Sequence, residues 1–170
     1  MSILPKSLSL ETLKAFSDDY NINPVFLEKD WYTQNVLGVI AGIQSDEFQP
    51  VFCGGTSLSK GYRLINRFSE DIDFKFQSLK PNINRRIRSA YQDRVIDIIQ
   101  TSSPELELIG TPQKRNSSTF ASFEIVYPSH FQQYEALRPH IRVEFTFQEP
   151  ALKPEMRSLS SLVAQLTGYE

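Results

Sequence analysis

Two aspartates one residue apart, Asp71 and Asp73, are the side chains of this sequence best suited to chemistry. They lie in the run 71–76, where polar and apolar residues alternate strictly, so a strand would present both on one face. Carboxylates this close either repel each other or share a cation, and bridged hard cations neutralise charge in phosphoryl and nucleotidyl transfer. We therefore predict a magnesium or manganese site at Asp71 and Asp73.

A third carboxylate from a neighbouring strand would complete such a site and help to activate an acceptor hydroxyl. The run 140–147 also alternates, and it places Glu144 and Arg142 on its polar face. We take Glu144 as the third metal-binding and catalytic acid, and Glu124 as the second choice. The alternative is a surface carboxylate that pairs with Arg142 or another cation.

A glycine pair, Gly54-Gly55, links a short apolar strand to a run with helical spacing. Glycine lets backbone N–H groups approach a triphosphate closely, and the positive end of a helix favours the bound anion. Thr56 and Ser57 can cap that helix and offer hydroxyls to a phosphate, and Lys60 adds a positive charge that could also serve catalysis. Because the P-loop spacing is missing, a Walker-type ATPase is disfavoured.

The elements that must position these residues follow from periodicity and turn signals. We predict an α+β fold, a mixed sheet flanked by helices on one side, with the site where the first strand ends beside the second. The predicted helices are within 9–43, where Asn23-Pro24 opens the second, and at 56–65, 84–100 and 159–166; the predicted strands are 50–53, 71–76, 119–127 and 140–147.

We expect one domain over 1–170, with N-terminal helices at 1–48, a catalytic core at 49–150, and the start of a truncated C-terminal helical region at 151–170. The charged peptide 28–30 fits a solvated turn of a helix. The arginines of the 84–100 helix form a solvated face, with an RNA-binding surface as the alternative; these arginines are Arg85, Arg86, Arg88 and Arg94.

Composition sets the outer limits of the interpretation. A formal charge of −2 gives no overall attraction to nucleic acid, so an RNA partner would need a local basic patch. The single cysteine, Cys53, cannot form an internal disulfide, and the first residues lack a signal segment. The longest apolar run is far shorter than a membrane span, and we expect a cytoplasmic protein.

The run from Cys53 to Leu64, followed by Asn66 to Phe74, resembles the AbiEii/AbiGii toxin family of the DNA polymerase beta-like nucleotidyltransferase superfamily. The pattern shared by that superfamily is a Gly-Gly or Gly-Ser turn followed, after a helix, by Asp-x-Asp on a strand. Family members usually continue into a C-terminal helical region with a further lysine and aspartate. The 28–31 peptide also looks like a Glu-Lys-Asp stretch of this family, and the resemblance implies a role beyond solvation, which we do not name.

The resemblance implies a role for each matching residue. Phosphate contacts fall on Gly54, Gly55, Thr56, Ser57 and Lys60; magnesium ligands are Asp71 and Asp73, with Glu144 as the third acid; Arg67 and Ser69 support nucleotide binding. It also implies transfer of a nucleoside monophosphate from a nucleoside triphosphate to RNA such as tRNA, a cognate antitoxin and a part in phage defence. The alternatives are a catalytically silent nucleotide-binding or protein-interaction module and a phosphotransferase of the γ-phosphate.

Overall fold

A five-stranded mixed sheet carries the fold of this computed structural model, which describes residues 7–65, 68–132 and 134–167. Its helices are α1 Leu10–Tyr20, α2 Pro24–Ala41, α3 Gly54–Lys60, α4 Arg85–Ser102 and α5 Leu162–Thr167. Its strands are β1 Phe48–Cys53, β2 Asp71–Ser78, β3 Glu107–Arg115, β4 Phe120–Val126 and β5 His140–Thr146. The predicted α+β class with a mixed sheet and flanking helices is confirmed.

The strands lie in the order β1-β2-β5-β4-β3. Strands β2 and β5 are parallel, and every other neighbouring pair is antiparallel. Because β1 and β2 run in opposite directions, the end of β1 lies beside the start of β2, where Cys53 pairs with Asp73. Because β5 is parallel to β2, the start of β5 lies at the same end of the sheet as the start of β2.

Helices α2 and α4 cover one face of the sheet. The alternating apolar residues of β2 and β5 are buried against them, among them Ile72, Phe74 and Phe145. The residues between them, including Asp71, Asp73 and Glu144, are only partly buried on the opposite face. One-sided burial is the physical cause of the period-2 pattern in the sequence.

A second, smaller apolar cluster joins α1, α2 and α5 through Leu13, Leu27, Trp31 and Val163. It holds the N-terminal helices and the last described helix together. Helix α2 begins as predicted, since Asn23 accepts a hydrogen bond from the Val25 N–H and Pro24 occupies the first turn. Over the described part of the chain, no helix is long and apolar enough to cross a membrane.

Two features of the fold differ from the prediction. Strand β3 was not predicted, because it is an edge strand whose residues are all exposed or only partly buried, with a register shift between Ile109 and Gln113. Helix α3 covers Gly54–Lys60 instead of 56–65, so the glycine pair is its first turn and not a preceding loop. The helix stops early because the chain leaves at Gly61 and turns through Arg63, which has a φ of 53°.

Candidate active site

The three predicted acidic residues share the open face of the sheet on two adjacent strands. Asp71 and Asp73 lie on β2, and Asp73 is paired in register with Glu144 on the parallel strand β5. Glu124, the second choice, lies one strand further away on β4, opposite Arg142. The structure therefore places Glu144 beside the aspartates and Glu124 outside that group. Among the described residues, no three acidic, histidine or cysteine side chains already surround one ion position.

The carboxylate of Asp73 lies directly against the backbone of Gly54. A Cβ atom at Gly54 would stand 1.9 Å from Asp73 Oδ2 and 2.7 Å from Asp73 Cγ, closer than any real contact allows. Gly54 also has a φ of 73°, in the left-handed region that favours glycine. The glycine is thus required by the neighbouring carboxylate and by its own backbone conformation, and it joins the start of α3 to the acidic group.

Thr56 and Ser57 do not cap α3, contrary to the prediction. The cap residue is Cys53, which makes no side-chain cap hydrogen bond, and Thr56 and Ser57 are buried inside the helix. The Thr56 hydroxyl donates a hydrogen bond to the main-chain carbonyl of Asp71. This bond fixes α3 to the start of β2, so Thr56 positions the strand that carries Asp71 and Asp73.

Lys60 points into the protein. Its Nζ atom is 2.5 Å from Asp30 Oδ1 and 3.5 Å from the Ser160 carbonyl oxygen, and only 8% of its side chain is exposed. The positive charge is therefore neutralised by a buried carboxylate on α2. A contact between Lys60 and a phosphate, or a catalytic role, stays a prediction.

The two other predicted nucleotide-binding residues lie in the connection from α3 to β2. Ser69 is partly buried and lines a pocket of about 240 Å³ together with Thr56, Lys60 and Phe26. Arg67 lies outside the described residues. Gly55 is in the first turn of α3 and is partly exposed.

Electrostatic crowding is concentrated at Asp73. Burial raises the pKa of this carboxyl, and the nearby charges of Glu144 and Asp71 raise it further, while Arg142 opposes them. Arg142 Nη2 is 2.9 Å from Glu144 Oε1, and Arg138 Nη2 is 2.9 Å from Asp71 Oδ1. Glu144 therefore forms the ion pair with Arg142 that the alternative predicted, and it also lies beside Asp73.

The donor set fits a magnesium ion. Mg²⁺ binds carboxylate oxygens and usually takes only one or two of them, completing its shell with water and substrate phosphates. Asp71 Oδ1 is buried, and its position is 2.9 Å from the Arg138 guanidinium, which at present supplies its positive partner. A cation held by Asp71 and Asp73 would replace that partner and relieve the repulsion among the acids.

The charged peptide of α2 is buried, so the prediction of a solvated turn was wrong. Glu28, Lys29 and Asp30 are 2%, 0% and 4% exposed. Consecutive helical residues point about 100° apart, so burying all three requires protein on several sides of the helix. Each charge therefore needs a partner from another part of the chain.

The partners of these charges come from several distant parts of the chain. Glu28 accepts hydrogen bonds from the Ser129 hydroxyl and the His130 N–H. Lys29 Nζ pairs with Glu70 and donates to the Arg138 carbonyl oxygen at 2.7 Å. Asp30 pairs with Lys60 and accepts from the Leu162 N–H at 2.6 Å. Helix α2 thus supports the segments that carry the candidate site residues.

The predicted arginine face lies away from the acids. Arg85, Arg86 and Arg94 are exposed, whereas Arg88 is partly buried and donates to the carbonyl oxygens of Ile83 and Ser117. Helix α4 packs on the face of the sheet opposite to Asp71 and Asp73. An acceptor bound only to this arginine face would be separated from the acidic group by the sheet.

Comparison with known families decides which group of proteins this is. The family described as the nucleotidyl transferase AbiEii toxin of type IV toxin–antitoxin systems matches residues 40–170. The chain belongs to the AbiEii family. The resemblance based on the Gly-Gly turn and Asp-x-Asp is thereby confirmed. A comparison with curated proteins found no match.

Membership connects the geometry to a class of activity. The AbiEii family is a nucleotidyltransferase toxin of a type IV toxin–antitoxin system. The matched range contains α3, β2 and β5, and therefore every acid of the candidate site. The buried peptide 28–30 lies ahead of that range, although its side chains contact residues inside it.

Proposed function

We propose that this AbiEii-family chain is a metal-dependent nucleotidyltransferase that transfers a nucleoside monophosphate from a nucleoside triphosphate to an acceptor hydroxyl. The contact between Gly54 and Asp73 carries the proposal. It joins a glycine turn, whose backbone N–H groups can approach phosphates, to carboxylates that suit Mg²⁺ or Mn²⁺. A triphosphate on the turn would therefore lie next to the cation that its transfer requires.

Each acid has a distinct part in the proposed reaction. Asp71 and Asp73 would hold the cation, which when bound neutralises charge on the α-phosphate and on the departing pyrophosphate. Glu144, beside Asp73, would accept the proton of the acceptor hydroxyl as it attacks the α-phosphorus in line. Gly54, Gly55, Thr56, Ser57, Lys60, Arg67 and Ser69 are the proposed nucleotide-binding residues, on the strength of the family pattern.

The proposed acceptor is RNA, with tRNA as the first candidate, and the proposed protein partner is a cognate antitoxin. The description of the family as a type IV toxin–antitoxin toxin supports the antitoxin and a role as toxin, which we extend to phage defence. The acceptor proposal rests on the superfamily resemblance. The open face of the sheet offers a surface on which an RNA acceptor would reach Asp71, Asp73 and Glu144.

Incubation with each α-labelled nucleoside triphosphate, Mg²⁺ and total RNA tests this function. We expect labelled RNA with the wild type and none with Asp71→Asn/Asp73→Asn. The control is Asp97→Asn, which removes an exposed aspartate from α4 and should leave labelling unchanged. Equal labelling by the wild type and the double variant would refute the proposal.

One observation favours a second candidate, a silent nucleotide-binding or protein-interaction module. Arg138 and Arg142 already neutralise two of the three acids, as they would in a site that no longer binds a cation. Nucleotide affinity that is unchanged by Mg²⁺, together with the absence of labelled product, would support this candidate. Label that follows the γ-phosphate instead of the α-phosphate would indicate a phosphotransferase.

A further inference from the structure

Arg138 is held beside the acidic group by its main chain. Its N–H donates to Glu70 Oε2 at 2.8 Å, and its carbonyl oxygen accepts from Lys29 Nζ at 2.7 Å. Glu70 and Lys29 also form an ion pair, and the Lys29 side chain is fully buried. Pro139 follows and restricts the backbone at Arg138 further. The segment ahead of β5 is therefore fixed by contacts that do not involve the Arg138 side chain.

The guanidinium of Arg138 lies between two acids. Nη2 is 2.9 Å from Asp71 Oδ1, and Nε is 3.7 Å from Glu70 Oε2. The side chain is 38% exposed, so it can move without opening the core. Glu70 is engaged by buried Lys29, whereas Asp71 is 40% exposed and is a proposed cation ligand.

A cation at Asp71 would change the position of this guanidinium. A cation held by the Asp71 carboxylate would lie close to the Arg138 guanidinium. Two positive groups so near to each other repel. Nε would remain near Glu70 while Nη2 is released. An arginine fork with one free edge binds phosphate oxygens in a bidentate manner.

We propose that Arg138 is a triphosphate-binding residue that pairs with Asp71 until a divalent cation occupies this carboxylate and then contacts the phosphates. This inference rests on the proposed function. It adds a substrate contact from the segment ahead of β5, outside the glycine turn and the Asp-x-Asp motif. It also explains why an acid intended for a cation is paired with an arginine.

The test measures two affinities, and the proposal predicts that Arg138→Ala changes them in opposite directions. Titration of the protein with Mn²⁺ alone should show binding that is about two- to fivefold tighter in Arg138→Ala, because an exposed competing ion pair is lost. Titration with inorganic tripolyphosphate at saturating Mn²⁺ should show binding that is roughly ten- to a hundredfold weaker, because a charged hydrogen-bonding group is lost. Arg138→Lys should lie between the wild type and Arg138→Ala in the second titration.

Arg86→Ala removes the same charge from an exposed position on α4 and should change neither affinity. If both affinities weaken in Arg138→Ala, Arg138 is only a structural residue, and if neither changes, it has no role in binding. Either outcome overturns the inference while leaving the function intact. If the wild type fails to bind Mn²⁺, or Asp71→Asn binds it equally well, the proposed function and the inference both fail.

Discussion

Asp30 on α2 and Lys60 on α3 form a buried ion pair, with 2.5 Å between Oδ1 and Nζ and less than a tenth of either side chain exposed. The other carboxylate oxygen of Asp30 accepts a hydrogen bond from the Leu162 N–H at the start of α5. One carboxylate therefore connects α2, which carries it, to both α3 and α5. Its removal would leave an ammonium group in the interior without its partner.

We expect Asp30→Ala to lower the free energy of unfolding by about 3 to 5 kcal/mol, the typical cost of an uncompensated buried charge. Urea unfolding monitored by circular dichroism measures this change in the free energy of unfolding. Asp93→Ala is the control, because Asp93 is mostly exposed where it pairs with Lys114, and it should cost less than about 1 kcal/mol. Asp30→Leu/Lys60→Met should recover most of the loss, and equal costs for Asp30→Ala and Asp93→Ala would contradict a buried pair.

Replacing Gly54 with alanine should abolish nucleotidyl transfer, because the new Cβ would displace the Asp73 carboxylate. Gly110→Ala is a matched control: its φ of 66° imposes similar strain, and no atom lies within 4 Å of the position that its new methyl group would take. Both variants should lose about 1 to 2 kcal/mol of stability from the left-handed backbone. Labelling of RNA should persist only in Gly110→Ala, and persistence in Gly54→Ala would separate Asp73 from the reaction.

The central part of the site follows from sequence patterns. Alternation in β2 and β5 arises because one face of each strand is buried, and it correctly placed Asp71, Asp73 and Glu144 on the other face. The glycine pair was predicted to be a turn ahead of the helix that approaches a triphosphate; in the structure it is the first turn of α3, and Gly54 lies against the Asp73 carboxylate. The pattern could not supply the register, which depends on how β5 docks beside β2 and sets Glu144 opposite Asp73.

The support of the site could not be predicted in the same way. Glu28, Lys29 and Asp30 are charged residues on consecutive helical positions, a pattern typical of solvent exposure, yet all three are buried. Their partners, such as Glu70 and Lys60, are at least 30 residues away along the chain. Burial of a charge depends on such distant partners, and local periodicity holds no information about them.

Glu144 and Glu124 offer a direct test of which acid assists the reaction. Glu144→Gln should lower the rate of transfer about 10²- to 10⁴-fold, the usual contribution of a general base. Glu124→Gln keeps the same change of charge on the same face but lies opposite Arg142 instead of Asp73, so its rate should stay within a fewfold of the wild type. Single-turnover assays at saturating nucleotide compare them, and the reverse order of rates would assign the role to Glu124.

The stability of the protein without metal should depend on pH through Asp73. Burial, Glu144 and Asp71 raise the pKa of this carboxyl above its ordinary value of 3.8. Between 3.8 and the raised pKa the folded state binds more protons than the unfolded state, so stability falls as pH rises through that window and stays lower above it. Asp73→Asn removes the titrating group and should therefore be more stable than the wild type at pH 7.

Unfolding of both proteins in urea at pH 3 and at pH 7, without divalent ions, measures this effect. The advantage of Asp73→Asn should be present at pH 7 and shrink toward pH 3, where the carboxyl of the wild type is protonated in both states. Saturating Mg²⁺ at pH 7 should stabilise the wild type more than the variant, because a ligand of the folded state raises stability by mass action. An Asp73→Asn variant that is less stable than the wild type at pH 7 without metal would show that Asp73 is satisfied by the protein alone.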